Sequence, residues 1–275
     1  MSMSNSAPLT YLFVPGNRPE RFAKAIDSGA DRVILDLEDA VALEGKAAAR
    51  NAIAEWMQAN RQHAGKVLIR INDVTTTWHA DDLALASVVQ PKCIMLPKCE
   101  AAHQVTAVLS CLPDDARVLP LIETARGLVA VHDIAAAAGV ARLAFGSLDY
   151  MVDLAIESGS LALDFAAAQI AVASRAAGLA SPVAGVTPDM DAERVSADML
   201  HAKSLGFGAK MCIHPAQLAA VRAALAPTPA ELAWAQRVLQ VWAASSGGAI
   251  QLDGKMVDRP VVLKAERIIF LASQK

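Results

Sequence analysis

Eight times between residues 11 and 226 the sequence passes from a short apolar run to a longer Ala-rich stretch with helical spacing. The short runs are 11–15, 32–38, 66–72, 92–98, 117–123, 142–148, 181–187 and 208–214, with helical stretches at 19–29, 42–61, 80–90, 100–111, 126–138, 161–177, 190–205 and 215–226. Each short run stays apolar almost to its end, the pattern of a parallel strand covered on both faces. A doubly wound open sheet shares this local alternation, but eight units over about 220 residues fit a closed (β/α)₈ TIM barrel better. The expected fold is therefore an α/β barrel spanning residues 1–226.

Beyond Ala226, Pro227 and Pro229 punctuate the chain, a helix carrying Trp234 and Trp242 follows, and Ser245 to Gly248 form a break. An amphipathic helix is expected over about 260–272. Residues 227–275 are thus surplus to the barrel, as a C-terminal helical lid segment.

Composition narrows the partners. Apolar types make up 54% of the chain and charged types 19%, with a formal net charge of -3, so the chain has a core to bury and no basic face for nucleic acid. The N-terminus lacks a basic flank followed by an apolar core, and Ala-rich stretches are interrupted by charges, which gives neither a signal peptide nor a membrane span. Cys93, Cys99, Cys111 and Cys212 have no zinc-type spacing and fit buried thiols in a reducing compartment. A cytoplasmic protein is expected. No Gly-rich phosphate loop is present.

In a parallel barrel the reactive groups sit at the C-terminal strand ends, where the βα loops converge. Those ends carry Asp36, Glu38 and Asp39, then Arg70, Asn72 and Asp73, then Lys98 and Glu100, then Glu123, Asp149, Asp189, Lys210 and His214. Glu123 and Asp149 leave neighbouring strands, and two oxygen donors with room for water suit Mg²⁺ or Mn²⁺ better than zinc. Taken alone, capping of the following helices is the commoner explanation of both carboxylates. Arg70 lies within the apolar run IRIN. Its planar fork can grip a substrate carboxylate or an enolate oxygen, or form an internal ion pair with Asp36 or Glu38, and the two roles are compatible. Of the acids in DLEDAV, Asp36 has the better case for the mouth, since it shares side-chain parity with Ile34 and Glu38. His214 ends strand eight and is better explained as a hydrogen-bonded structural histidine than as a catalytic one.

The segments LFVPGNRPERFAKAIDSGADRVILDLEDAV, IRIN, LIETARGL, FGSLDY and GAKMCIHPAQ occur in this order over nearly the whole chain. Together they resemble the citrate lyase β-subunit-like family of acyl-CoA lyases, within the HpcH/HpaI aldolase/citrate lyase superfamily, which also holds malyl-CoA and citramalyl-CoA lyases. The resemblance implies a Mg²⁺-dependent barrel with Glu123 and Asp149 as metal ligands and Arg70 as a substrate-binding residue. It further implies that a C-terminal segment lies over the active site of a neighbouring subunit in a homo-trimer or hexamer. In GKMVDRPVVL that segment carries Asp258 at the position of an acid/base aspartate. The chain departs from the family at strand seven, where SPVAGVT has Ala184 in place of a frequent Asp.

The function so implied is a retro-Claisen carbon–carbon lyase cleaving a 3-hydroxyacyl-CoA into acetyl-CoA and a 2-oxo acid. Asp258 and Arg70 would be catalytic, Arg70, Glu123 and Asp36 would contact substrate, and the CoA thioester would be the substrate. The alternatives are the β subunit of a citrate lyase complex working on an acyl-carrier-protein thioester, a class II aldolase, against which the LFVPGNR opening argues, and a non-catalytic acyl-CoA-binding barrel.

Overall fold

The computed structural model describes residues 7–245 and 250–273. The chain packs as two compact units, residues 7–224 and the residues from 225 onward.

The first unit is a closed barrel of eight parallel strands in sequential order: β1 Thr10–Pro15, β2 Arg32–Asp36, β3 Val67–Arg70, β4 Cys93–Leu96, β5 Arg117–Ile122, β6 Ala144–Phe145, β7 Val183–Ala184 and β8 Ala209–Cys212. The barrel expectation holds. Around it run α1 Phe22–Asp27, α2 Lys46–Ala59, α3 His79–Val89, α4 Ala102–Leu109, α5 Ala125–Val129, α6 Val131–Ala136, α7 Ser147–Leu154, α8 Leu161–Ala176, α9 Ala192–Ser204 and α10 Gln217–Leu225. Strand alternation fills the barrel with Tyr11, Ile34, Leu68, Met95, Leu119, Leu121, Ala144, Val183, Ala209 and Met211. Continuing the same alternation toward the C-terminal ends brings Asp36 after Ile34, Arg70 after Leu68 and Glu123 after Leu121. The interior thus changes from apolar to charged within one step at the mouth.

The barrel differs from the sequence expectation at β6, at β7 and in the helices that follow β5 and β6. β6 and β7 have two residues each, because Gly146 and Gly185 follow them and Pro182, which has no N–H for the ladder, precedes β7. The expected helix 126–138 breaks at Ala130, whose ψ of 3° leaves the helical region, into α5 and α6. A further helix, α7, follows β6. The break expected at Ser245 to Gly248 lies, beyond Ser245, outside the described residues, as does the N-terminal segment before Ala7.

The second unit comprises α11 Pro229–Ala243, the hairpin of β9 Ile250–Leu252 and β10 Lys255–Val257, and α12 Arg259–Ala272. Thr228 and Glu231 form a reciprocal capping box at the start of α11. The hairpin turns on Asp253 and Gly254, with φ of 52° and 73°, the left-handed pair that a two-residue turn of this kind demands. Ala235, Val238, Val257, Val262, Ala265 and Ile268 form its core, with Trp234 and Trp242 packed against them. Among the described residues no helix is long and apolar enough to cross a membrane.

Candidate active site

β2 and β3 are adjacent and paired in register, with Asp36 opposite Arg70. This pairing sets up a two-pronged ion pair: Arg70 Nε donates to Asp36 Oδ1 at 2.7 Å and Nη2 to Oδ2 at 2.6 Å. The backbone N–H groups of Glu38 and Ala40 donate to the same two oxygens. Asp36 is fully buried and each of its oxygens carries two donors, so it fixes Arg70 in place. Arg70 Nη1 lies 2.8 Å from Glu38 Oε2, off the axis of a hydrogen bond, and 3.6 Å from Asp39. The guanidinium also stacks 4.8 Å from the Phe13 ring centroid. Burial works against the Arg70 charge, but Asp36, Glu38 and Asp39 raise its pKa further, so it is always cationic.

Glu38 lies between Arg70 and Lys98, whose Nζ donates to Glu38 Oε1 at 3.4 Å. Burial pushes the Glu38 carboxyl up to about 7; Arg70 opposes this, and Asp39 adds to it. Lys98 stands just after β4 with a φ of 43°, a conformation rare for a side chain of its kind. That twist aims its backbone N–H at Glu123 Oε1, 2.8 Å away. The Lys98 ammonium loses solvation by burial, yet the surrounding carboxylates of Glu38, Glu123, Asp39 and Asp149 raise its pKa.

Glu123 follows β5 and is 1% exposed. Burial, with Glu38 and Asp149 adding repulsion, lifts its pKa well above the ordinary carboxylate range. Its Oε2 receives no hydrogen bond among the described residues and lies against Gly146, where a Cβ would come within 2.3 Å. A glycine is required there because the carboxylate occupies the side-chain space. Asp149 sits in the first turn of α7, three residues beyond that glycine, and is half-buried.

The group as a whole is short of positive charge. Asp36, Glu38, Asp39, Glu123 and Asp149 face Arg70, Lys98 and Lys46, five carboxylates against three cations. Lys46 is itself tied to the Leu37 and Glu38 carbonyls, at 2.7 Å each. With all five carboxyls ionised the surplus would be two negative charges, which a divalent cation would balance. Among the described residues no three His, Cys, Asp or Glu side chains converge as a metal cage. Mg²⁺ does not demand one, since it commonly binds through one or two carboxylates and keeps water or substrate oxygens on its other positions.

The other strand-end residues have local duties. Asp82, fully buried on α3, accepts from the Asn72 backbone and side chain and from Arg50, which braces the loop after β3. His214 is exposed, and its Nδ1 accepts from the Ala216 N–H as a cap. Asp258 belongs to the second unit, where it caps α12 and accepts the Val261 N–H at 3.3 Å. Sequence reasoning placed Lys98 at a strand end without a role, and it missed Phe13 and Gly146. Backbone twist and close approach to a carboxylate leave no pattern in a single sequence.

Residues 9–215 match the model of the HpcH/HpaI aldolase/citrate lyase family. The chain belongs to this family. Among its members, the citrate lyase subunit beta-like protein of Mycobacterium tuberculosis H37Rv is 38% identical over 272 residues, covering 96% of this chain and 95% of that protein. A (3S)-malyl-CoA thioesterase of Cereibacter sphaeroides ATCC 17023 is 31% identical, covering 94% of this chain and 93% of its own. Of solved structures in the family, CitE from Mycobacterium tuberculosis in complex with magnesium, acetoacetate and coenzyme A superposes with a TM-score of 0.88 at 36% identity, over 98% of this chain and 99% of that one.

Proposed function

We propose that this protein is a Mg²⁺-dependent carbon–carbon lyase that splits a 3-hydroxyacyl-CoA bearing a carboxylate on its hydroxylated carbon. Malyl-, citramalyl- and citryl-CoA are substrates of this form. The products are acetyl-CoA, or a close homologue, and a 2-oxo acid. The observation that carries the reading is the buried, charge-deficient mouth, in which Glu123 keeps one carboxylate oxygen without a donor. Support comes also from the relative that was solved with magnesium, acetoacetate and coenzyme A.

Glu123 and Asp149 would hold the metal, and their all-oxygen donor set suits it. Mg²⁺ bound there would supply electrophilic polarisation of the substrate hydroxyl and its adjacent carboxylate. In cleavage the hydroxyl proton would pass to the Asp258 carboxylate of a neighbouring copy, and the oxygen's freed electron pair would form the carbonyl of the 2-oxo acid. The bond between the hydroxylated carbon and the thioester's α-carbon would break, with its electron pair passing to the thioester as an enolate. Arg70, held rigid by Asp36, stabilises the enolate oxygen without reorganising. Asp258 of a neighbouring copy delivers the proton to the α-carbon, which completes acetyl-CoA. In this scheme the C-terminal segment closes over the mouth and keeps water from the enolate, and the working assembly is a homo-trimer or hexamer.

The test is cleavage of the three CoA esters with Mg²⁺ and with EDTA, measuring released 2-oxo acid and released free CoA separately. Mg²⁺-dependent 2-oxo acid from one ester is the expected result. Free CoA without 2-oxo acid would make the protein a thioesterase. Activity confined to an acyl-carrier-protein thioester would make it the β subunit of a lyase complex. Mixing Arg70→Ala and Asp258→Ala chains should restore part of the activity if the site is shared between copies, and no restoration would place both residues in one chain's site.

A further inference from the structure

A concavity lies between the outer wall of β6–β8 and helices α7, α8 and α9, lined in part by Ser147 and Leu148 of the α7 turn that also carries Asp149. Its volume is about 500 Å³, within the roughly 300–1,000 Å³ typical of small-molecule sites. Phe145, Met151, Leu163, Leu205 and Phe207 give it apolar walls. Lys210 interrupts them.

In β8 the side chains of Ala209 and Met211 fill the barrel interior, so the alternating Lys210 faces the helix layer, where a parallel barrel normally places an apolar residue. Lys210 is 4% exposed. Its Nζ donates to the Gly185 carbonyl at 2.7 Å, and among the described residues it forms no ion pair. The acids of the cavity are committed elsewhere: Asp198 accepts from Thr187 Oγ1 at 2.7 Å and pairs with Arg194 at 3.2 Å, and Asp164 pairs with His201 at 2.8 Å. Burial lowers the Lys210 pKa, and Asp198 only partly offsets this. A buried ammonium with a neutral acceptor and spare N–H donors is a poor structural device, since an apolar residue of similar volume would hold the wall at less cost. It is a good receptor for an anion that brings its own apolar surface.

We propose that this cavity binds a monocarboxylate with a medium-length apolar chain, the carboxylate at Lys210 Nζ and the chain against Phe145, Met151, Leu163 and Phe207. The proposal rests on Lys210 and the apolar walls and does not depend on the lyase reading.

The test is calorimetric titration of the full-length protein with octanoate, octan-1-ol and acetate, in EDTA and without any CoA ester. Octanoate should bind saturably, and the two controls, which lack the charge or the chain, should bind at least about tenfold more weakly, as expected for a charged hydrogen bond. Lys210→Met should weaken octanoate by about tenfold or more, with an unchanged circular dichroism spectrum. Ala167→Phe, which fills the cavity from α8, should abolish binding and keeps the test decisive if the first variant does not fold. Absence of saturable octanoate binding, equal binding of octan-1-ol, or full affinity in either variant would overturn the proposal.

Discussion

The two ends of the barrel use the same residue types to opposite effect. At the N-terminal end, Asp31 accepts from the Leu9 and Thr10 backbone N–H groups at 2.8 and 3.0 Å, from Thr10 Oγ1, and from Arg222 at 2.8 Å. Burial alone would raise its pKa, but the Arg222 and backbone hydrogen bonds outweigh it and hold the carboxyl below its usual range. Arg142 likewise ends on the carbonyls of Pro8 and Ser181. At the C-terminal end, Glu38 and Glu123 are buried with too few donors, and their carboxyls are pushed up. Satisfied charge closes the barrel at one end. Charge left short of partners at the other is available to bind something.

Substitutions can break this contrast. The largest effect is expected from Glu123→Gln, which keeps the shape and removes the charge. It should lower kcat by about 10²–10³ while leaving the fold intact, as read by steady-state kinetics and circular dichroism. Asp36→Asn should act on both counts, because it leaves Arg70 buried beside a neutral group. A loss of about 3 kcal/mol in urea unfolding is expected, together with a drop in kcat, and an unchanged urea midpoint would show that Arg70 does not need Asp36.

The pH response should also divide the two ends. The folded Glu38 pKa of about 7 lies above its unfolded value, so the native state holds this proton more tightly. Metal-free protein should therefore lose on the order of 3 kcal/mol as pH rises from the ordinary carboxylate range through about 7, and Glu38→Gln should flatten that slope. Asp31 has the opposite sign. Its folded pKa is depressed, so its contribution is full above the unfolded value and is lost as pH falls through the folded one. Asp31→Asn should cost about 1–2 kcal/mol at neutral pH and leave kcat unchanged. A matching fall in kcat would mean that the two ends are coupled. The smallest effect belongs to the second unit, where Gly254→Ala in the hairpin turn should cost about 1 kcal/mol, measured by thermal unfolding.

Much of the barrel was legible because the alternation of apolar runs and helical stretches is a physical requirement of a sheet covered on both faces. The strand-end rule then singled out Arg70, Glu123 and Asp149 as candidates, and the family resemblance added Asp258. What a single sequence could not convey was contact. Asp36 looked like a mouth residue by parity, and only the register with Arg70 shows its oxygens saturated. The two-residue strands β6 and β7 looked longer because apolar residues continue past the hydrogen-bonded ladder. The hairpin β9–β10 was readable and missed: Asp253-Gly254 between alternating residues is a strong turn signal. Lys210 was noted only as a strand-end cation, since nothing in its neighbours announces a cavity outside the wall.

The Glu123 carboxylate takes its bearing from a main-chain N–H, and main-chain groups are common to every residue except proline. Position 98 can therefore drift through evolution or through a randomised library without disturbing the direction in which Glu123 points. The left-handed twist there favours glycine and asparagine as the most readily accepted replacements. Because the lysine side chain reaches Glu38 and not Glu123, such drift would retune the charge of the mouth while its principal carboxylate stays aimed. Residue 98 is thus a dial that selection can turn at little risk to the machinery beside it.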